Sequence, residues 1–415
     1  MTEDQQRAFG QRVKEFRKAA CLDQQSLAAR LGKSASWMSQ VERGLIPVRN
    51  LDLLHDLANQ LGVSLIKLEP SLPAADPEEP SMPPPANDLD GARLLISGHP
   101  ALDALLPDAG GGDERPTSVA DLTESVDAAW ELAHRSEFAE LTAELQTLVP
   151  ALERAVRTYT GAERLASLRL LARTYQALSA AFARQNEADA AWVAAERAIG
   201  AAEASGQPLE VFAGIFRLAH AFVRLKHLDQ AEHAASTALQ TLRDHLADRS
   251  ARPEESSILG SLHLVLALTH SRAGRRTKAK AAIEAARRVA LSMEGDRNDF
   301  GLEFGPTNVE IQAVATSVEH GDAGEAIDIG QELDPSCLSS ERQARLLMYL
   351  SRAYLQRRQT QEAQDCLLRA EELAPEMLHS HTDARATIRE LLLISGDSAP
   401  AELVELADRA GAEAS

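Results

Sequence analysis

Near the N-terminus the apolar positions fall at helical spacing. Leu27, Ala28 and Leu31 lie at i, i+1 and i+4, and Met38 and Val41 at i and i+3, which predicts two short amphipathic helices. Asp23 is placed to cap the first helix and Ser34 the second. Gly32 between them can leave a helix with positive φ, and Gly44 ends the second. From about Thr117 onward the pattern is helix after helix, with no strand alternation. The helices come in pairs. The second helix of each pair carries a small residue at i and small or apolar residues at i+4 and i+7: Ala191/Ala195/Ala198, Ala231/Ala235/Ala238, Ala279/Ile283/Ala286, Ala326/Gly330/Leu333 and Ala363/Leu367/Ala370. Successive first anchors lie 40, 48, 47 and 37 residues apart, a degenerate earlier copy is read at Ala139 and Ala143, and Pro335 and Pro375 come after the last two copies.

On the second N-terminal helix the outward positions are Ser34, Ala35, Ser36, Trp37, Ser39, Gln40 and Arg43. These are mostly small or hydrogen-bonding residues, suited to base edges and phosphates. The segment resembles the Cro-repressor-like (XRE) helix-turn-helix family over residues 5–68: a basic-faced helix from Phe9 to Lys18, the Leu22 to Gly32 run, the Ser34 to Gly44 run with Glu42 two residues before its glycine, and Leu54 with Leu57-Ala58-Asn59-Gln60-Leu61-Gly62-Val63. The resemblance implies a five-helix head that binds double-stranded DNA. It puts Gln24 at a phosphate-clamping position, Ala35, Ser36 and Gln40 at base-reading positions, and Ser34, Ser39, Arg43 and Arg49 where backbone contacts are usual. Trp37 departs from the small residue often found there. It packs either on a thymine methyl or sugar, or on the neighbouring helix. Ala35 cannot hydrogen-bond, so Gln40 carries most of the direct readout and sequence preference rests partly on DNA shape.

Charge divides the chain in the same way. Of 43 basic and 62 acidic residues, residues 1–69 hold 10 and 8, a net of +2 against −21 for the remainder. An acidic body repels phosphate and confines nucleic-acid contact to the head, and a near-neutral head favours two copies on one site, hence a homodimer. Residues 70–90 contain seven prolines, five acids and no bases, which predicts a semi-stiff tether. Residues 91–107 suggest one or two short helices that dock on the body or on a partner subunit, and Gly110-Gly111-Gly112 reads as a flexible break without the features of a phosphate loop.

The paired helices resemble tetratricopeptide repeats in a divergent, longer-helix form, and a generic α-solenoid is the alternative. Either way a concave surface is lined by the first helix of each pair. One stretch, Gly295 to Val309, interrupts the helices with Phe300, Phe304, three glycines and Pro306, and Thr307 is placed to cap the helix that comes next. Asn308 and Gln312 either face the groove, where their amides pair with a bound peptide backbone, or the stretch is an inter-repeat loop whose phenylalanines plug the core.

No catalytic constellation, metal site or cofactor motif is recognisable. His379 and His381 diverge on a helix and with Asp383 read as an exposed polar turn, while His220, His227, His233 and His263 read as structural. Cys21, Cys337 and Cys366 lie far apart and read as thiols filling small apolar gaps in a reduced, cytoplasmic setting, and neither a membrane span nor a signal peptide is apparent.

The sequence therefore predicts an all-α protein with a helix-turn-helix head at 1–69, a proline-rich acidic linker with short helices at 70–116, and a tetratricopeptide-like α-solenoid for sensing and dimerisation at 117–415. As a whole it is similar to peptide-sensing quorum regulators that join such a head to a repeat body (the Rgg/PlcR/PrgX class) and to actinobacterial relatives of them. The implied function is a sequence-specific, non-enzymatic transcriptional regulator sensing a short peptide. The alternative is a DNA-located scaffold whose repeats bind a partner protein. The long proline tether departs from the compact members of that class.

Overall fold

The computed structural model describes residues 3–20, 22–31, 35–44, 57–58, 60–61, 63, 65–68, 89–102 and 117–412. The chain divides into two compact units, Met1–Pro85 and Ala86–Ser415. It is an all-α protein: among the described residues there is no strand, only an isolated bridge between Arg297 and Phe304. None of the described helices is long and apolar enough to cross a membrane.

In the N-terminal unit the described helices are α1 (Glu3–Ala19), α2 (Gln24–Arg30), α3 (Ala35–Glu42) and α4 (Leu65–Leu68). Their apolar stripes meet in one small core: Phe9 and Val13 of α1, Leu27 and Ala28 of α2, Met38 and Val41 of α3, with Leu57, Ala58, Leu61 and Leu68. Burying a side chain the size of Leu27 or Met38 contributes about 1.5–3 kcal/mol. Gly10 fixes how closely α1 and α3 approach, because a Cβ there would lie 2.4 Å from the Val41 carbonyl oxygen. Gly44 ends α3 in the left-handed region at φ 71°. The Arg12 guanidinium donates to the Leu68 carbonyl at 2.8 Å and closes the far side of the unit.

The second unit begins with α5 (Asp90–Ser97), whose Ala92 and Ile96 enter the same core as Leu122, Val126 and Leu145. Arg197 caps its C-terminal end by donating to the Ile96 and Gly98 carbonyls at 3.0 and 2.7 Å. Helix pairs come after it: α6 (Val119–Arg135) with α7 (Phe138–Thr158), α8 (Gly161–Arg184) with α9 (Ala188–Ser205), α10 (Pro208–Arg224) with α11 (Leu228–Leu246), α12 (Pro253–Arg272) with α13 (Arg276–Ala290), α14 (Pro306–Glu319) with α15 (Ala323–Glu332), and α16 (Ser340–Gln356) with α17 (Thr360–Leu373). The short α18 (Pro375–Ser380), α19 (Thr382–Ser395) and α20 (Ala401–Ala410) complete the array.

The pairs share one turn. The left-handed residue that reverses the chain is Ser136, Asn186, Lys226, Gly274, Gly321 and Arg358 in successive pairs. In the last five it stands five residues before the first small anchor, so the 40-, 48-, 47- and 37-residue spacings reappear in the backbone. Ala191, Ala231, Ala279, Ala326 and Ala363 are all fully buried where paired helices meet. The same register, counted from Ser136, lands on Leu141, Leu145 and Leu148, all buried. The earlier copy expected at Ala139 and Ala143 is thereby corrected: both alanines are exposed, and this pair uses leucines instead of small residues.

First helices of neighbouring pairs pack on one another and form the inner face. The array closes on itself. Helix α6 touches α16, the Phe138 amide donates to Glu376 Oε2 at 2.7 Å, and Arg184 of α8 faces Glu341 of α16 at 3.5 Å.

Candidate functional site

In the head, α3 buries Met38, Val41 and Glu42 and leaves Ser39 and Gln40 half-buried on the other side, with Arg43, just past its last residue, exposed. Its inner side is locked by a buried ion pair. Arg17 Nε and Nη2 contact Glu42 Oε1 and Oε2 at 2.5 and 3.1 Å, and Arg17 Nη1 donates to the Leu22 carbonyl at 2.7 Å. Gln24, the expected phosphate clamp, donates through Nε2 to Glu42 Oε2 at 2.7 Å, so the start of α2 is tied to the end of α3. Burial pushes the Glu42 carboxyl up, but the hydrogen bonds from Arg17 and Gln24 more than offset this and hold it below the usual carboxylate range. Arg43 Nε turns back to the Ser39 carbonyl at 3.2 Å. Ala35, Ser36 and Trp37 are helical, but their side chains, like all of Ser34 and Arg49, lie outside the described residues.

In the repeat unit the interrupting stretch is folded into the inner face. Phe304 is fully buried against Gly260 of α12, and Gly301 lies against the Trp130 ring of α6. Glu303, at φ 48°, accepts from the Ser339 amide and hydroxyl, each at 2.9 Å, and so holds the start of α16. Asn308 belongs to this plug. It is 3% exposed and its Nδ2 donates to the Glu303 carbonyl at 2.7 Å. The groove-facing expectation for Asn308 is corrected accordingly, because an amide needed to brace a left-handed backbone is turned inward. The cap expected from Thr307 is supplied by Asp296, whose Oδ1 accepts the Thr307 and Asn308 amides at 3.1 and 3.4 Å.

Gln312, one turn further along α14, does line a cavity of about 660 Å³ on the inner face. The wall is basic, which the spacing of apolar positions does not reveal. Arg217, His220 and Arg224 descend one face of α10 at i, i+3 and i+7, and Glu341, Arg342 and Arg345 project from α16. Glu341 is 1% exposed. Burial opposes its ionisation, but Arg345, Arg342 and Arg184 hold its carboxyl far below the usual range. Arg217 has no such partner. Its Nη2 donates to the Gly301 carbonyl at 2.7 Å, its guanidinium lies 5.4 Å from the Trp130 and Phe216 rings, and its buried Nε has no acceptor among the described residues. Burial, then Arg184 and Arg342, pushes Arg217 down to about 9, and burial with Arg345 pushes Arg224 down to about 10. The signal for this cluster was present in the α10 spacing, but each arginine alone reads as a solvated charge.

His381 also departs from the exposed turn expected of it. It caps α19 by accepting the Ala384 amide at 3.3 Å, lines the cavity, and is pushed down to about 3 by burial and Arg345. His379 pairs with Glu371 at 2.7 Å. Cys366 is buried as expected of a gap-filling thiol, whereas Cys337 is exposed, with its Sγ 3.6 Å from Asp296 Oδ2, and Cys21 lies outside the described residues.

Among solved structures, the chain is similar to PlcR from Bacillus thuringiensis, in complex with the peptide PapR7 and DNA. The identity is 12%, the match covers 92% of this chain and 99% of that one, and the TM-score is 0.35. It is also similar to BtubC (BKLC) from P. vanneervenii, at 18% identity over 62% of this chain and 89% of that one, with a TM-score of 0.30. No curated protein matches the chain in sequence. Residues 8–69, which contain the α1–α3 core and its buried ion pair, match the family model described as a helix-turn-helix domain, and the chain carries that domain at its N-terminus.

Proposed function

We propose that this protein is a sequence-specific transcriptional regulator that binds double-stranded DNA as a homodimer through α3, and that its repeat unit is the sensor. The observation that carries the first part is the sidedness of α3. Met38, Val41 and the Arg17–Glu42–Gln24 network fix one side, and Gln40 and Arg43, at i and i+3, are left together on the other. A rigidly mounted helix with an amide and a guanidinium on its free face suits base-edge and phosphate contact. Sequence selection from a randomised DNA library with the full-length protein tests it. Gln40→Ala is expected to broaden the selected consensus, with about 1–3 kcal/mol less discrimination at one position, and Arg43→Ala to weaken all sequences and lower the salt slope. Identical selections for wild type and both variants would overturn the reading.

The sensing part rests on the cavity of the inner face, where the Gln312 amide is half-buried and its side chain has no hydrogen-bond partner among the described residues. A short peptide is a ligand of suitable size, since cavities of about 300–1,000 Å³ hold drug-sized molecules. The alternative, a scaffold for a partner protein, calls for a broad apolar patch on this face; its wall instead interleaves seven basic and three acidic side chains with apolar ones such as Phe216, Val223 and Leu268.

A further inference from the structure

The chain as a whole carries a net charge of −19, yet its inner cavity is lined by seven lysines and arginines against three acids. The acids are already engaged. Glu341 serves Arg345, Arg342 and Arg184. Glu319 and Asp383 both face the exposed Arg272 at 3.5 Å. Arg217 and Arg224 are left without an acid, although Arg217 Nη2 donates to the Gly301 carbonyl at 2.7 Å and its guanidinium lies over the Trp130 and Phe216 rings. Arg217 is 6% exposed and Arg224 half-buried, and neither has a carboxylate within ion-pairing distance among the described residues. Both stand on the same face of α10, with His220 between them and Gln312 also in the wall.

A buried guanidinium without an anion is an expensive arrangement, and proteins relieve it by pairing or by binding a counter-charge. Acids do stand on the facing helices, Glu319 on α14 and Glu341 on α16, but Glu319 pairs with Arg272 and Glu341 with Arg184, Arg342 and Arg345. Guanidinium groups match carboxylate and phosphate oxygens with two parallel hydrogen bonds, and an enclosed wall strengthens them by excluding water.

Building on the sensor reading, we infer that the ligand of this cavity is a small polyanion, held by Arg217 and Arg224 through phosphate or carboxylate groups, with Gln312 contacting its neutral part. A phosphorylated metabolite and a short acidic peptide share that chemistry. A neutral or hydrophobic peptide does not.

Calorimetric titration of the full-length protein with ADP, with tetraglutamate and with end-blocked tetraalanine tests this. ADP or tetraglutamate is expected to bind saturably, at least about tenfold tighter than tetraalanine, and to weaken as salt rises. Binding by ADP alone assigns a phosphate source, and binding by tetraglutamate alone assigns a carboxylate source. Arg224→Gln is expected to weaken binding at least about tenfold. Arg224→Glu supplies an internal anion, so it is expected to raise the Tm of the ligand-free protein while abolishing binding. A merely structural Arg224 would lower the Tm in both variants. The inference is overturned if neither anion binds, if tetraalanine binds equally well, or if both variants bind like wild type. DNA affinity measured on the same preparations reports on the head separately, so failure of the regulator reading and failure of this inference give different results.

Discussion

The ring of Phe304 lies where a side chain on Gly260 would have to be: a Cβ built on Gly260 falls 1.8 Å from Phe304 Cζ. Helix α12 and the inward loop are therefore matched by shape at one point, and the loop owes its position to a missing methyl group.

Gly260→Ala is expected to expel the Phe304 ring. Overpacking costs about 1–3 kcal/mol, and here the ring is fully buried with no free side to move into. Thermal melting should show a lower Tm, with the loop more open to proteolysis. An unchanged Tm would show that the ring repacks freely.

Asn308→Ala removes the hydrogen bond to the Glu303 carbonyl and leaves a buried acceptor beside a left-handed backbone. A loss of about 1–3 kcal/mol is expected. Gln312→Ala, whose side chain makes no hydrogen bond among the described residues, is expected to keep its Tm and to change ligand affinity. Melting curves of the two variants, beside ligand titrations, separate brace from binder.

Glu42→Gln breaks the buried pair with Arg17 and is expected to cost about 3–5 kcal/mol of head stability and with it DNA binding. The acid limb arises from the same pair. The folded-state pKa of Glu42 lies below its ordinary value of 4.5, so its contribution is complete above that pH and is lost as pH falls through the lower folded value. Acid titration of head stability, monitored by circular dichroism, should show this limb in wild type and not in the variant.

His263 gives the repeat unit a different window. Arg243 Nη2 donates to its Nε2 at 2.8 Å, which requires that nitrogen unprotonated, and burial with Arg243 pushes it from 6.5 down to about 4. The unfolded chain takes up the proton first, so stability is full above pH 6.5 and declines as pH falls toward 4, by roughly 3 kcal/mol in total. His263→Gln should flatten the melting temperature across that window. A parallel slope in the variant would assign the effect to other groups.

Much of this fold could be read from local spacing. The anchors Ala191 to Ala370 announce their helices because a small residue at i, i+4 and i+7 is a property of one helix, and Leu27, Met38 and Val41 announce the head for the same reason. The first repeat does not show itself at Ala139 and Ala143 because leucines do there what alanines do elsewhere. The basic cavity is not legible because Arg184, Arg217, Arg224, Arg342 and Arg345 come from three helices that only the closed array assembles. The inward turn of Asn308 is hidden because the sequence does not show that Glu303 adopts a left-handed backbone and needs its carbonyl held.

The contact between α6 and α16 changes how the repeat unit should come apart. An open array of repeats melts like a zipper, each unit leaning only on its neighbours, and it tolerates loss of an end. Here Glu376 and Glu341 reach back across the sequence to Phe138 and Arg184. Long-range closure of this kind turns a chain of local steps into one cooperative transition with a slow, high-contact-order folding route. A chain cut before α16 would then lose not only its last repeats but the native footing of its first.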